Sequence, residues 1–447
     1  MKKIILISPI GDTDPIRNGY DGPLLHISRQ YKPDKIYLLL TEEMYKRHLE
    51  DNRYLNCLNQ LYKGISANEK GLYEGHHKEF ELIPKRLYVE DASNFEAFKV
   101  FTNIIDGIVG ENGDCEYYVN ITSGTPQIIS TLCLDLVVNN RKMKAIQVTT
   151  PEKKSNANVP HSSGVEENAL INVFDSYVDT YTNRCREVEL RTFRKSSCYL
   201  KVKSFVEDYN YFYALNELEK ETFEIDAKLI DLCGIGNKYQ NSDFENVKTK
   251  CKIANFYCNS TSDTDLRNIL NSYNVMQIKE KKNLITDFTV RLTPILYLLS
   301  KKLVSDVFDL SKITIKTNNG LRLILDKIKD NDVSDVLNEV KYDTFLATKH
   351  LIDLYEHFGC NEKVLNTLKL LRSVEDSIRN KVAHEITYVS KSDYKTLTNT
   401  TPLEVLHKLR ELILHAYPNN TKDEDYIFFE RLNIEIINEL KLMLKSN

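Results

Sequence analysis

The sequence is short of the features that mark the commonest cofactor enzymes. After its first apolar run it has no Gly-x-Gly-x-x-Gly of the dinucleotide enzymes and no Lys-Ser/Thr of a P-loop, so hydride transfer and ATP hydrolysis both lose ground. The nine cysteines are odd in number and contain no Cys-x-x-Cys pair; Cys251 and Cys258, seven apart, are the closest. Reduced structural thiols are expected. His76 and His77 are adjacent but lack companions at ligand spacing, so no metal is expected. No apolar stretch approaches the roughly twenty residues a membrane-spanning helix needs. The basic start Met1-Lys2-Lys3 leads into Ile4–Ile7, a run too short for a signal peptide and closed by Ser8-Pro9, which reads as a first strand. The chain is therefore expected to be soluble and cytoplasmic. Its net charge of −4 gives no general attraction for polyanions, so any such binding needs a local cleft.

What is present is the balance of an ordered, helix-rich protein: 42% hydrophobic and 28% charged residues, with fifteen glycines and eleven prolines in 447 positions. That length suggests roughly two to three domains. The first 150 residues alternate strand-like runs with helical periodicity. Lys3–Ile7, Lys35–Leu40, Phe80–Ile83, Glu116–Ile121 and Lys144–Thr149 read as strands. A long polar helix from Glu42 to about Tyr62, a helix opening at Ser93–Glu96 and another from Gln127 to Val138 fall between them. Five strands alternating with helices predict an α/β, Rossmann-like, doubly wound and mostly parallel sheet.

Pro151 to Gly164 is rich in turn formers and marks the main boundary. Beyond it the pattern is all-α, with helical spacing over Val202–Leu232, Leu266–Leu303 and Leu321–Tyr355. Thr401-Pro402-Leu403-Glu404 has the cap, N1 proline and N3 glutamate of a helix start, and that helix should end near Pro418. A last helix is expected from about Glu424 to Leu444. The domains expected are 1–160, a helical connector over 161–330, and 331–447.

Ligands of an open parallel sheet sit at the carboxyl ends of its strands. After the fourth strand comes Asn120-Ile121-Thr122-Ser123-Gly124-Thr125-Pro126-Gln127. Gly124 allows a tight turn, Thr125 can cap the helix and Pro126 can start it. Free N–H groups there, with the hydroxyls of Thr122, Ser123 and Thr125, make a place for a phosphate. Any βα turn uses a hydroxyl and a glycine, but Asn120 and Thr122 on one side of the strand end exceed what a cap requires. The first loop, Ser8-Pro9-Ile10-Gly11-Asp12-Thr13-Asp14, carries acids that repel phosphate. Asp12 and Asp14 are better suited to accept from ribose hydroxyls or adenine amines, unless the turn is merely Asp-rich.

A second candidate lies on the segment Leu370–Ile386. Leu371, Val374, Ile378, Val382 and Ile386 form its apolar face, while Asn380 and His384 are neighbours four apart and Arg379 flanks them. A histidine that moves protons and an arginine that neutralises a phosphorane-like transition state are what cleavage of RNA by its own 2′-hydroxyl needs, without a metal. The same Arg-x-x-x-x-His interval recurs at Arg410–His415, where Leu and Ile fill the gap and acidic Glu411 follows the arginine. That copy reads as structural. Residues five apart on a helix differ by roughly 140° in direction, so Arg379 and His384 of one chain converge poorly on one phosphate. A two-fold homodimer would place two such sets in one cleft.

The order of these motifs resembles the CARF–HEPN ribonucleases of type III CRISPR systems: a Rossmann-like domain with Asn120–Thr125, then a helical domain with Arg379-Asn380 and His384. The resemblance spans nearly the whole chain. It implies a CARF domain that senses a cyclic oligoadenylate made by the CRISPR effector complex, and a HEPN domain that cuts single-stranded RNA without metal, leaving 2′,3′-cyclic phosphate and 5′-hydroxyl ends. Arg379, Asn380 and His384 match the catalytic motif. Ser8, Ile10, Gly11, Asp12, Asn120, Thr122, Ser123, Gly124, Thr125 and Gln127 match the activator site. Many CARF domains carry Lys or Arg just after the turn; here Pro126 and Gln127 stand there, and Arg141 or Lys142 is expected to be recruited instead. A six-membered activator ring is favoured and a four-membered ring stays open. Some members also degrade their activator in the CARF domain, a role to which Thr122 and Asn120 could contribute. The alternative is a CARF-type ligand-sensing regulator or scaffold without nuclease activity. A DNA-binding regulator lacks support, since the basic stretch Arg191–Lys203 reads as a solvated linker.

Overall fold

A computed structural model of the chain describes residues 2–17, 19–64, 75–89, 91–150, 175, 177–259, 261–331, 333–384 and 389–446, with side chains described except at 17, 97, 98 and 379–384. The chain divides into two compact units, Met1–Ser197 and Cys198–Asn447.

The first unit runs β1 (Ile4–Pro9), β2 (Ile16–Arg17), β3 (Tyr20–Asp21), α1 (Pro23–Tyr31), β4 (Lys35–Leu40), α2 (Glu42–Asp51) and α3 (Arg53–Lys63). It continues with β5 (Glu81–Arg86), α4 (Phe101–Asn112), β6 (Glu116–Asn120), α5 (Pro126–Val138), β7 (Lys144–Val148) and β8 (Cys185–Val188). The main sheet has the order β5-β4-β1-β6-β7-β8, parallel except for antiparallel β8. Alternation along the strands feeds two cores. Ile5, Ile7, Tyr37, Leu39 and Val119 face α4 and α5, whereas Leu6, Ile36, Leu38 and Leu40 face α1 and α3. The chain winds outward from β1 to β5 and then returns beside β1 as β6, so the winding reverses between β1 and β6. That reversal is where an open sheet splays its loops and receives ligands.

Several local differences from the expected elements have simple causes. The polar helix expected over Glu42–Tyr62 is two helices, because Asn52 adopts a left-handed φ of 52° between them. Phe95–Val100 forms a 3-10 turn before α4 instead of the start of one long helix. Strand β8 was not expected: four residues are too few for periodicity to declare itself, and its signal lies in pairing to β7. The α/β unit therefore extends past residue 160.

A buried charge network ties β8's approach to the opening hairpin. Arg29 bonds Asp21 through Nε and Nη2 at 2.7 and 3.1 Å, and Arg184 bonds Asp175 at 2.9 Å and the Asp21 carbonyl at 3.0 Å. His26, fully buried, accepts from the Arg184 backbone N–H at 2.9 Å.

The second unit is reached within α6 (Arg191–Glu207) and continues α7 (Tyr211–Leu218), α8 (Ala227–Gln240), α9 (Phe244–Ile253), α10 (Thr264–Lys281) and α11 (Ile285–Ser305). Then come β9 (Thr314–Thr317), β10 (Gly320–Leu323), α12 (Leu325–Asp330), β11 (Thr344–Phe345), α13 (Thr348–Phe358), α14 (Glu362–His384), α15 (Lys391–Thr398), α16 (Pro402–Ala416) and α17 (Phe428–Lys445). Strands β9, β10 and β11 form a small antiparallel sheet where a continuous helical pattern was expected from Leu321. β-Branched Thr314, Ile315 and Thr317, followed by a two-residue turn into Gly320, favour the hairpin over a helix. One apolar core reaches from Leu266 to Tyr426, crossing the expected boundary at 330, and a second joins α6–α9 to α17. Helix α16 starts with the expected box: Thr401 accepts from the Glu404 N–H, and the Glu404 carboxylate accepts from the Thr401 N–H. Among the described residues, no helix is long and apolar enough to cross a membrane.

Candidate functional site

The loops after β1 and β6 meet at the winding reversal. Asn120, fully buried, is their organiser. Its amide donates to Ser8 Oγ at 2.9 Å and Ser123 Oγ at 3.0 Å, while its oxygen accepts from the N–H groups of Thr122 (2.9 Å) and Ser123 (3.4 Å). One side chain thus holds β1 and the β6 turn together. Gly11 closes the contact, since a Cβ there would stand 2.7 Å from the Gly124 nitrogen. Gly124 itself has φ +99°, which side-chain-bearing residues rarely adopt.

The hydroxyls of the turn are already engaged. Thr122 Oγ1 accepts from the Val148 N–H at 2.7 Å, fastening the turn to β7. Thr125 Oγ1 donates to the Ala92 carbonyl at 2.7 Å and caps α5 by accepting from Ile128 N–H at 3.4 Å, with Pro126 at the first helical position. The N-terminus of α5 consequently points its dipole at the space above this turn.

The expected activator residues therefore divide in two. Ser8, Ile10, Asn120 and Ser123 are buried and hold the loops in place; Gly11, Asp12, Thr122, Gly124, Thr125 and Gln127 retain some exposure. Asp12 is engaged by Arg47 Nη1 at 2.9 Å, and Arg47 also pairs with Glu43 on α2. Asp14 turns inward, accepting from Leu24 N–H at 2.9 Å and Gly11 N–H at 3.3 Å. Burial pushes its carboxyl up to about 6, against hydrogen bonds from Ser123, Leu24 and Gly11 that pull it the other way.

Sequence reasoning missed the cations of this edge. Arg47 reaches the first loop through Asp12. Arg86, at the end of β5, bonds Glu42 twice at 2.6–2.7 Å and lies 4.7 Å from the ring centroid of Tyr88, a side chain left 75% exposed. No spacing rule relates these positions to the turn; only the sheet order does. Arg141, expected to neutralise phosphate, is at the opposite end of α5 and is engaged by Asp135 and Asp106 at 2.5 and 2.7 Å.

Asp21, His26 and Asp175 are close enough together to suggest a metal site. Arg29 and Arg184 balance the two carboxylates, so the trio reads as an ion network that needs no further charge.

In the helical unit, Arg379, Asn380 and His384 lie on the last turns of α14, whose backbone is described there; their side chains fall outside the described residues, as does Ile386. Upstream, Leu371, Val374 and Ile378 of the expected apolar face are buried, with Leu368 beside them, and the side chain of Val382 falls outside the described residues. Glu375, only 1% exposed, anchors the helix: Thr293 on α11 donates to it at 2.7 Å and Arg372 at 2.8 Å. At the other Arg-His interval, Arg410 bonds Asp423 at 2.6 Å and stands over the Tyr426 ring at 4.6 Å, while His415 is exposed.

Known proteins resemble the chain in both of its units. The model of the Cas_Csm6 CARF domain matches residues 81–185, and that of the Cas_Csm6 HEPN domain matches residues 257–437, which include Arg379, Asn380 and His384. The CRISPR system endoribonuclease Csm6 of Enterococcus italicus is 23% identical over 97% of this chain and 99% of its own length. Csm6′ of Streptococcus thermophilus is 24% identical over 98% and 99%, and Csm6 of Mycobacterium tuberculosis 23% over the same shares. The solved structure of Enterococcus italicus Csm6 bound to cyclic hexa-2′-fluoro-hexa-dAMP shares the fold, with a TM-score of 0.72 at 20% identity over 98% of this chain and all of that one.

Proposed function

The chain combines the CARF and HEPN domains of the Csm6 family, and from that premise we propose that it is an endoribonuclease for single-stranded RNA switched on by a cyclic oligoadenylate. The observation that carries the reading is the meeting of the Ser8–Asp12 and Asn120–Gln127 loops at the sheet's winding reversal, in one chain with a HEPN helix ending in Arg379, Asn380 and His384.

In this reading the activator's phosphates approach the Gly124–Gln127 helix start and its riboses or bases approach Asp12. The Enterococcus italicus structure holds a six-membered ring, which favours six over four adenylates here. Buried Asn120 acts by holding the loops. In the HEPN domain His384 moves the proton of the attacking 2′-hydroxyl, Arg379 offsets the charge of the phosphorane and Asn380 orients the phosphate. The products are a 2′,3′-cyclic phosphate and a 5′-hydroxyl, and no metal takes part. A homodimer supplies both Arg-His sets. The sensing part is assigned to 1–160 and its β8 extension; the core shared by Leu266–Tyr426 favours adding α10 and α11 to the 331–447 ribonuclease domain.

The test is cleavage of a fluorophore-quencher RNA in EDTA, with and without cyclic hexaadenylate or tetraadenylate, by wild type and His384→Ala. Activation by one ring, lost in the variant, is the expected result; equal rates throughout would leave a ligand-binding scaffold. Self-limiting cleavage of the activator is proposed as a second activity. His384→Ala, with the HEPN site disabled, should still degrade the ring over a long incubation, and intact ring removes that proposal.

A further inference from the structure

Between Leu87 and Val89, both buried in the core against α4 and α5, the chain displays Tyr88, 75% exposed. A single exposed ring is ordinary on a protein surface. Three constraints set this one apart. Its neighbours are fixed, since the Leu87 N–H donates to the Leu40 carbonyl at 2.8 Å and the Val89 carbonyl accepts from the Glu42 N–H at 3.4 Å. Its backbone holds a left-handed φ of 53°, which bulky side chains rarely adopt. Its ring centroid lies 4.7 Å from the Arg86 guanidinium, which stands 5.2 Å from the ring of Tyr45 and is locked by two bonds to Glu42 at 2.6 and 2.7 Å. Anchored neighbours, an unfavoured backbone conformation and a charged prop together keep one aromatic ring in solvent.

The ring sits at the carboxyl edge of the sheet, where the two candidate activator loops meet. Tyr88 follows the last residue of β5 by two positions. Its segment is fastened to the β6 turn, because the carbonyl of Ala92, four residues on, accepts from the Thr125 hydroxyl at 2.7 Å. Four residues reach at most about 14 Å. The first turn of α2 ties the same places together from the other side: Glu42 holds Arg86, and Glu43 pairs with Arg47, which bonds Asp12 of the β1 loop at 2.9 Å. The Ser8–Asp12 and Asn120–Gln127 loops offer hydroxyls, N–H groups and an acid but contain no aromatic residue. In a cyclic oligoadenylate the phosphates and riboses form the ring and the bases project from it. Phosphates at the Gly124–Gln127 helix start therefore leave bases to find partners further along the edge, and an aromatic face is a partner that any base can stack on. We propose that Tyr88 is the base-stacking residue of the activator site, receiving one adenine of the bound ring; the assignment rests on the cyclic-oligoadenylate reading above.

The test is calorimetric titration of the full-length protein with cyclic hexaadenylate and with cyclic tetraadenylate, for wild type, Tyr88→Phe, Tyr88→Leu and Tyr88→Ala. Phenylalanine keeps the aromatic face and should bind within about two-fold of wild type. Leucine keeps apolar bulk without that face, and both it and alanine should bind at least about ten-fold more weakly, the share of one stacked base. The exposed position predicts unchanged melting midpoints for the free variants, which separates lost stacking from lost folding. Should the alanine variant melt earlier, leucine against phenylalanine carries the comparison. Wild-type affinity in the leucine variant, or a loss in the phenylalanine variant as large as in alanine, would overturn the proposal while leaving the activator reading intact. A wild type that binds neither ring removes both.

Discussion

Replacing Asp14 with asparagine should remove a pH dependence from the α/β unit. The carboxyl sits at about 6 in the folded protein against 3.8 for the free side chain. Between those values the folded protein holds a proton that the unfolded chain has released. Stability from this group is therefore fully present below about 3.8 and is lost as pH rises through about 6. A gap of about two pH units amounts to about 3 kcal/mol. Asparagine keeps an oxygen for the Leu24 N–H but turns an amide toward the Gly11 N–H, a loss of about 1 kcal/mol at every pH. The variant should then be about 1 kcal/mol less stable than wild type near pH 3 and about 2 kcal/mol more stable near pH 7. Denaturant unfolding at both values, read by hydrogen exchange in β1 and β6, isolates this unit. A difference between the two proteins that does not change with pH would refute the reasoning.

Gly11→Ala should separate the two loops, because its Cβ meets the Gly124 nitrogen at 2.7 Å; a cost of about 1–3 kcal/mol and weaker cyclic oligoadenylate binding are expected in a thermal melt and a titration. Asn120→Ala strands two hydroxyls and two N–H groups and should cost about 2–4 kcal/mol, with binding lost more steeply than in Asn120→Gln if the longer amide regains any partner. Glu375→Ala should cost about 2–4 kcal/mol in the helical unit, and RNA cleavage should fall while activator affinity stays at the wild-type value. A variant that cleaves normally would show that the anchoring of α14 to α11 does not govern its last turns.

The parts of the fold legible in the sequence are those set by local chemistry. Thr125-Pro126 and Thr401-Pro402 announce helix starts that the structure has, since a hydroxyl cap and a prolyl N1 act within one turn. The parallel strands were legible because burial on both faces leaves continuous apolar runs. β8 and the β9–β11 sheet were not: each of these strands has four residues or fewer, too few for periodicity to show, and β8 and β11 pair with strands removed along the chain. The candidate site divides along the same line. The Asn120–Thr125 turn could be picked out from residue types, but the burial of Asn120, the inward course of Asp14 and the pairing of Asp12 with Arg47 depend on where β1, β6 and α2 lie in three dimensions.

The Asp21–Arg29–Arg184–Asp175 network carries an evolutionary consequence. Among the described residues its two carboxylates answer its two guanidiniums, so losing one member weakens the compensation of a buried charge, at a cost of up to about 3–5 kcal/mol. Single-step replacement at any of the four is therefore disfavoured. These positions should be inherited as a block or exchanged together for an apolar cluster, and homologues should show correlated changes at sites more than a hundred and fifty residues apart.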